Sequence, residues 1–95
     1  MNTNELFGKA IKKARKAQGF TQEDFSSSSR TYLSTLERGL KNPTVAKADS
    51  LAKELGLHPL TLFVLMYLEK APNKDLQKLL KKATHEIDYI LSASK

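Results

Sequence analysis

The sequence predicts an all-α fold, and three observations carry that expectation. Apolar residues recur at steps of three and four along most of the 95 residues, the spacing of one helix face. No run alternates apolar and polar residues as a half-buried strand would. Capping residues, glycines and prolines divide the chain into six helix-sized segments. The length suits one compact domain and not two.

The first helix is expected from about Asn4 to Gln18. Leu6, Phe7, Ala10, Ile11, Ala14 and Ala17 form its apolar stripe, and Lys9, Lys12, Lys13 and Lys16 fall largely on its other faces. Gly19 is a suitable stop, because it enters the left-handed conformation cheaply. Thr21 is placed to cap a second helix, with Glu23 and Asp24 in a first turn that favours acid. That helix must be short, because Ser26, Ser27, Ser28 and Ser29 follow. The third helix is expected from Arg30 to about Arg38, capped by Ser29 and stopped by Gly39, with Tyr32, Leu33 and Leu36 on its buried side.

Leu40 to Pro43 reads as a loop, and Thr44 caps a fourth helix with Val45, Ala48, Leu51, Ala52 and Leu55 on one face. Gly56 ends it. Pro59 suits the first position of a fifth helix reaching about Lys70. Leu60, Leu62 to Leu65, Met66, Tyr67 and Leu68 make that helix apolar nearly all round, which predicts burial on several sides. After Ala71-Pro72-Asn73, a sixth helix from about Lys74 to Ser92 carries Leu76, Leu80, Ala83, Ile87 and Ile90 at alternating steps of four and three. The expected organisation is a domain over 1–70 and a helical extension over 71–95.

The chain carries 16 Lys/Arg against 10 Asp/Glu, a formal charge of +6. The first 48 residues hold nine cations and four carboxylates, the remainder seven and six. That balance favours a polyanionic partner, although a solvated lysine surface has the same composition. There is no cysteine, hence no disulfide and no thiolate metal site. Met1 to Ala10 lacks a signal-peptide apolar stretch, and Leu60 to Leu68 is too short to span a bilayer. A cytoplasmic location without a membrane partner is expected.

Two short helices joined by a tight turn, early in a basic chain, suit a helix-turn-helix, whose second helix enters the major groove. That helix needs exposed donors and acceptors near its start. Arg30, Thr31, Ser34 and Thr35 fall together, away from Leu33 and Leu36. Arginine can grip guanine through two bonds, and threonine can bond a base edge or touch a thymine methyl. The bland alternative is a solvated polar face.

The residues narrow this choice. Phe20 to Phe25 (FTQEDF), Ser29 to Ser34 (SRTYLS), Leu36 to Gly39 (LERG) and Asn42 to Thr44 (NPT) resemble the phage Cro and repressor-like helix-turn-helix family, the XRE family. The likeness covers about Leu6 to Phe63 and includes the Leu-Gly-Leu turn at Leu55 to Leu57. It implies a lambda-repressor-like domain of five short helices, with the sixth helix C-terminal to it. It implies that Arg30, Thr31 and Thr35 read bases, with Ser34 at a base or phosphate. Thr21, Gln22, Ser29, Arg38, Lys41, Asn42 and Thr44 are expected to follow the DNA backbone, and Arg15 and Glu37 to form a structural pair. The chain departs from its relatives between Phe25 and Ser29, where only three serines intervene and no glycine is present. The second helix must be shortened or the turn rebuilt, which changes the reach of Gln22.

The last two helices hold more apolar surface than one small core needs. Either the sixth packs on the fifth within one chain, or both build a two-fold dimer through Leu65, Met66, Leu76, Leu80, Ile87 and Ile90. The expected function is that of a sequence-specific, double-stranded-DNA-binding transcriptional regulator, as a homodimer on a near-palindrome. The other reading is an antitoxin or adaptor whose apolar C-terminal half binds another protein. Enzyme activity, a cofactor and a metal are not expected: neither His58 nor His85 is near a cysteine or an obvious carboxylate cluster, and Glu86 and Asp88 point in different directions from His85 on a helix.

Overall fold

A computed structural model describes residues 1–26 and 28–94; Ser27, in the serine turn, and Lys95 lie outside the described residues. Among the described residues five α-helices run in order: α1 (Thr3–Ala17), α2 (Arg30–Glu37), α3 (Val45–Glu54), α4 (Pro59–Leu68) and α5 (Leu76–Ala93). Short 3-10 turns occupy Gln22–Asp24 and Pro72–Lys74, and the described residues contain no strand.

The helix expected after Thr21 is therefore reduced to one 3-10 turn. Asp24 accepts a hydrogen bond from the Thr21 N–H at 2.7 Å, closing the turn on itself. Phe25 then leaves in an extended conformation (φ −85°, ψ 118°) and drives its ring into the core. Serines cannot extend the turn into a helix economically, because their hydroxyls compete for local backbone bonds. Ser26 instead bonds Glu54 of α3, through its N–H at 2.8 Å and its Oγ at 2.7 Å.

The other helix starts follow ordinary capping chemistry. The helix α1 begins one residue ahead of the expected start, capped by Asn2, which shares a reciprocal pair of bonds with Glu5. Ser29, Thr44 and Asp75 cap α2, α3 and α5. His58 caps α4, its Nδ1 accepting from the Leu60 N–H at 3.0 Å.

The core gathers Leu6, Phe7, Ala10, Ile11 and Ala14 of α1 with Phe25, Leu33, Leu36, Ala48, Leu51, Ala52, Leu55, Leu62 and Met66. The helix α1 is its axis, packed on both α2 and α4. Two glycines set how closely α1 meets α2. A Cβ at Gly8 would lie 2.3 Å from the Leu36 carbonyl oxygen. Gly39 has φ +74°, and a Cβ there would lie 2.8 Å from Glu5 Cγ.

The fourth helix departs from the expectation of burial on several sides. Leu62 and Met66 face the core, whereas Leu60 and Tyr67 are exposed. Among the described residues α5 buries none of its own, so it covers the outer side of α4 only in part, across an open groove. The radius of gyration, 14.6 Å, exceeds the roughly 12 Å of a compact chain this long, as a projecting α5 requires. Among the described residues no single helix is long and apolar enough to cross a membrane.

Candidate nucleic-acid interface

The helix α2 holds the site, and its two sides differ sharply. Leu33 and Leu36 are fully buried and fix its inner side. Around the opposite side, at 100° per residue, the order is Arg30, Ser34, Arg38, Thr31 and Thr35. Arg30, Thr31 and Arg38 are exposed; Ser34 and Thr35 are half-buried. The Thr35 hydroxyl donates back to the Thr31 carbonyl at 2.8 Å, which leaves its oxygen able to accept a further hydrogen bond. Arg30 rests 3.5 Å from Glu23, both side chains about 70% exposed (70% and 71%), so the pair opens at little cost.

The far end of α2 is bolted to α1. Arg15 donates from Nε to Glu37 Oε2 at 2.6 Å and from Nη2 to Oε1 at 3.0 Å. Its Nη1 donates to the Phe20 carbonyl at 2.9 Å. The hydrogen bonds donated to Glu37 raise the Arg15 guanidinium above its ordinary pKa; burial opposes this and the Glu37 charge adds to it. Bidentate geometry of this kind sets an angle as well as a distance, so it orients α2.

Gln22 joins the same network, donating to Glu37 Oε1 at 3.1 Å. It is half-buried, and its amide is turned inward rather than held out for a ligand. Ser29 and Thr44 are likewise engaged as caps, accepting from the Tyr32 and Lys47 N–H groups at 3.0 Å each. Thr21, Lys41 and Asn42 are exposed.

Basic side chains flank the polar arc on both sides. Beyond its Arg30 edge lies an open basin of about 440 Å³ lined by Lys12, Arg15, Lys16, Thr21, Gln22, Glu23, Arg30 and Glu37. Beyond its Thr35 edge stands Tyr32, with Lys41 Nζ 5.9 Å and Lys47 Nζ 5.2 Å from the ring centre. Such a contact holds Lys41 loosely, at about 0.5–1 kcal/mol where solvent reaches it. Burial pushes the Tyr32 phenol above its ordinary value.

Lys12, Lys16 and Lys47 were not among the residues singled out from the sequence. A signal for the first two exists: Lys12 and Lys16 are one turn apart, and α1 carries no acid except Glu5. Of the expected dimer residues, Met66 is 3% exposed and belongs to the core of its own chain. Its side chain has no surface left to offer a partner. Leu65 is half-buried, and Leu76, Leu80, Ile87 and Ile90 are exposed.

Comparison with known proteins agrees with this geometry. An uncharacterized HTH-type transcriptional regulator, y4dJ of Sinorhizobium fredii (strain NBRC 101917 / NGR234), is 42% identical over 60 residues, covering 60% of this chain and 78% of that protein. The restriction-modification controller protein C.AhdI from Aeromonas hydrophila superposes with a TM-score of 0.59 at 31% identity, over 62% of this chain and 94% of its own. The clp gene regulator ClgR from Corynebacterium glutamicum shares the fold, with a TM-score of 0.67 at 24% identity over 99% of this chain and 95% of its own. A family model described as helix-turn-helix matches residues 11–62, more than half of the chain and all of α2 and α3. The chain therefore belongs to the helix-turn-helix family, of the XRE type that its sequence resembles.

Proposed function

We propose that this chain is a non-enzymatic transcriptional regulator that lays α2 in the major groove of double-stranded DNA and works as a two-fold dimer. The observation that carries the reading is the polar arc of α2, with an arginine at its first residue and lysines on both sides. A major groove is walled by two phosphate strands, and a helix with base-reading side chains between two basic flanks matches that cross-section. The description of y4dJ as a transcriptional regulator and of C.AhdI as a controller protein supports the same role. In this reading Arg30, Thr31, Ser34 and Thr35 face base edges. Arg38, Lys41 and Asn42 follow the backbone, with Thr21, Ser29 and Thr44 near it.

The dimer reading treats residues 1–70 as the DNA-binding unit and 71–95 as the dimerisation extension. Leu60, Val64, Leu65 and Leu68 of α4, with Leu76 and Leu80 of α5, line an open apolar groove of about 300 Å³. Ile87 and Ile90 continue the seam along α5, still exposed. A second copy is the occupant that fits, because the groove and the seam are the same surface on each chain and can cover each other about one axis. Such symmetry sets two α2 helices on half-sites about one DNA turn apart.

Methylation interference combined with sedimentation tests both parts. Loss of binding on methylating guanine N7, which lies in the major groove, supports the docking of α2. Interference only from adenine N3, in the minor groove, contradicts it. A sedimenting mass twice the 10.6 kDa of the chain supports the dimer, and a mass of one chain at micromolar concentration, unchanged by DNA, contradicts it.

A further inference from the structure

We propose that Lys12 and Lys16 of α1 grip the DNA backbone beside the Arg30 edge of α2, taking over from the missing second helix. This rests on the DNA-binding reading above. A full helix ahead of α2 would present free N–H groups and the positive end of its dipole to a phosphate. The turn Gln22–Asp24 has only three residues and so carries little of that dipole. Its Thr21 N–H is held by Asp24, its Gln22 amide donates to Glu37, and Glu23 and Asp24 add two carboxylates. By itself the turn repels a phosphate.

The basin beside it has the opposite character. Four cations and two carboxylates line it. Glu37 is engaged by Arg15 and Gln22, and Glu23 pairs with Arg30 in the chain without DNA; with Arg30 turned to a base the lining still holds three cations to two carboxylates. What remains is Lys12 and Lys16, both exposed, neither in an ion pair among the described residues. Their neighbours Lys9 and Lys13 are instead tied to Glu69 at 3.4 and 2.8 Å. Two ammonium groups one turn apart repel each other, and an anion between them removes that repulsion. They lie on the Arg30 side of the recognition arc, opposite Lys41 and Lys47 on the Tyr32 side. Each wall of the groove then meets one pair of lysines, and the shortened turn leaves room for α1 to reach the nearer wall.

The test is fluorescence anisotropy with a labelled duplex of mixed sequence, about two helical turns long, titrated between about 50 and 200 mM salt. Lys12→Ala/Lys16→Ala should flatten the slope of log affinity against log salt by about 1 to 2, at roughly 0.9 per phosphate released. Lys78→Ala/Lys82→Ala removes the same charge from α5 and should leave the slope unchanged. Lys12→Arg/Lys16→Arg should restore it, and an unchanged thermal melt excludes misfolding as the cause. Equal slopes for the two alanine pairs overturn the proposal, because the lysines then act only through the general field. A wild-type chain with no salt-dependent duplex binding overturns the DNA-binding reading itself, and this proposal with it.

Discussion

Replacing Glu37 by alanine isolates the force that orients α2. The Arg15 and Glu37 side chains are 11% and 5% exposed. Of the three hydrogen bonds that Arg15 donates, Glu37 accepts two, and only the Phe20 carbonyl remains after the substitution. A guanidinium stays buried with one neutral acceptor. Breaking a buried pair in this way costs about 3–5 kcal/mol. A domain of this size has roughly 5–15 kcal/mol in total and loses about 4–8 °C of Tm per kcal/mol. Glu37→Ala should thus melt on the order of 10–40 °C below wild type, followed by circular dichroism. The penalty comes from the stranded charge rather than from lost attraction. Arg15→Met/Glu37→Leu, which removes both charges and keeps the volume, should therefore recover most of the loss. A single variant within about 1 kcal/mol of wild type, the cost of an exposed pair, would refute the reasoning. So would a double variant no more stable than the single one.

Three further outcomes follow from the same geometry. Gly8→Ala sets a methyl 2.3 Å from the Leu36 carbonyl, so α1 and α2 must separate, and chemical denaturation should show a loss of about 1–3 kcal/mol; wild-type stability would mean the helices are not held that close. Arg30→Ala should flatten preference among DNA sequences by about 1–3 kcal/mol, whereas Lys41→Ala should weaken all sequences and lower the salt slope; equal losses on specific and random DNA for Arg30→Ala would remove it from base reading. Glu69, which accepts from Lys13, Lys74 and Lys9, is held down to about 2 from the ordinary 4.5. Its folded-state pKa is lowered, so its contribution is complete above about pH 4.5 and disappears as the pH falls towards 2. Glu69→Gln should accordingly lower Tm at neutral pH and lessen its fall across that acid window; parallel Tm curves for the two proteins would contradict the role given to the lysine cluster.

The parts of this structure that depend on local chemistry were legible in the sequence. The stripe from Leu6 to Ala14 became the axis of the core because three- and four-residue spacing is a property of the helix itself. Ser29, Thr44 and Gly39 marked helix ends for equally local reasons. The serine turn showed that the second helix had to shrink, but not that Ser26 would bond Glu54, 28 residues away. Long-range partners are where periodicity stops informing. Met66 and Leu60 look alike in an apolar helix, yet one is in the core and the other on the surface, decided by how α4 rotates against α1. The resemblance implies Gln22 at the DNA backbone, whereas in the structure its amide donates to Glu37. Lys12 and Lys16 read as an ordinary solvated face until the basin beside Arg30 brought them together with α2.

Selection of bound sequences from a random duplex pool, run with wild type and Arg30→Ala side by side, bears most directly on α2 as a reader of DNA. Wild type should enrich a near-palindrome whose half-sites lie about 10 bp apart, with information lost at the same position in each half-site for Arg30→Ala. A wild-type pool that stays random, or a motif that Arg30→Ala leaves intact, would contradict it.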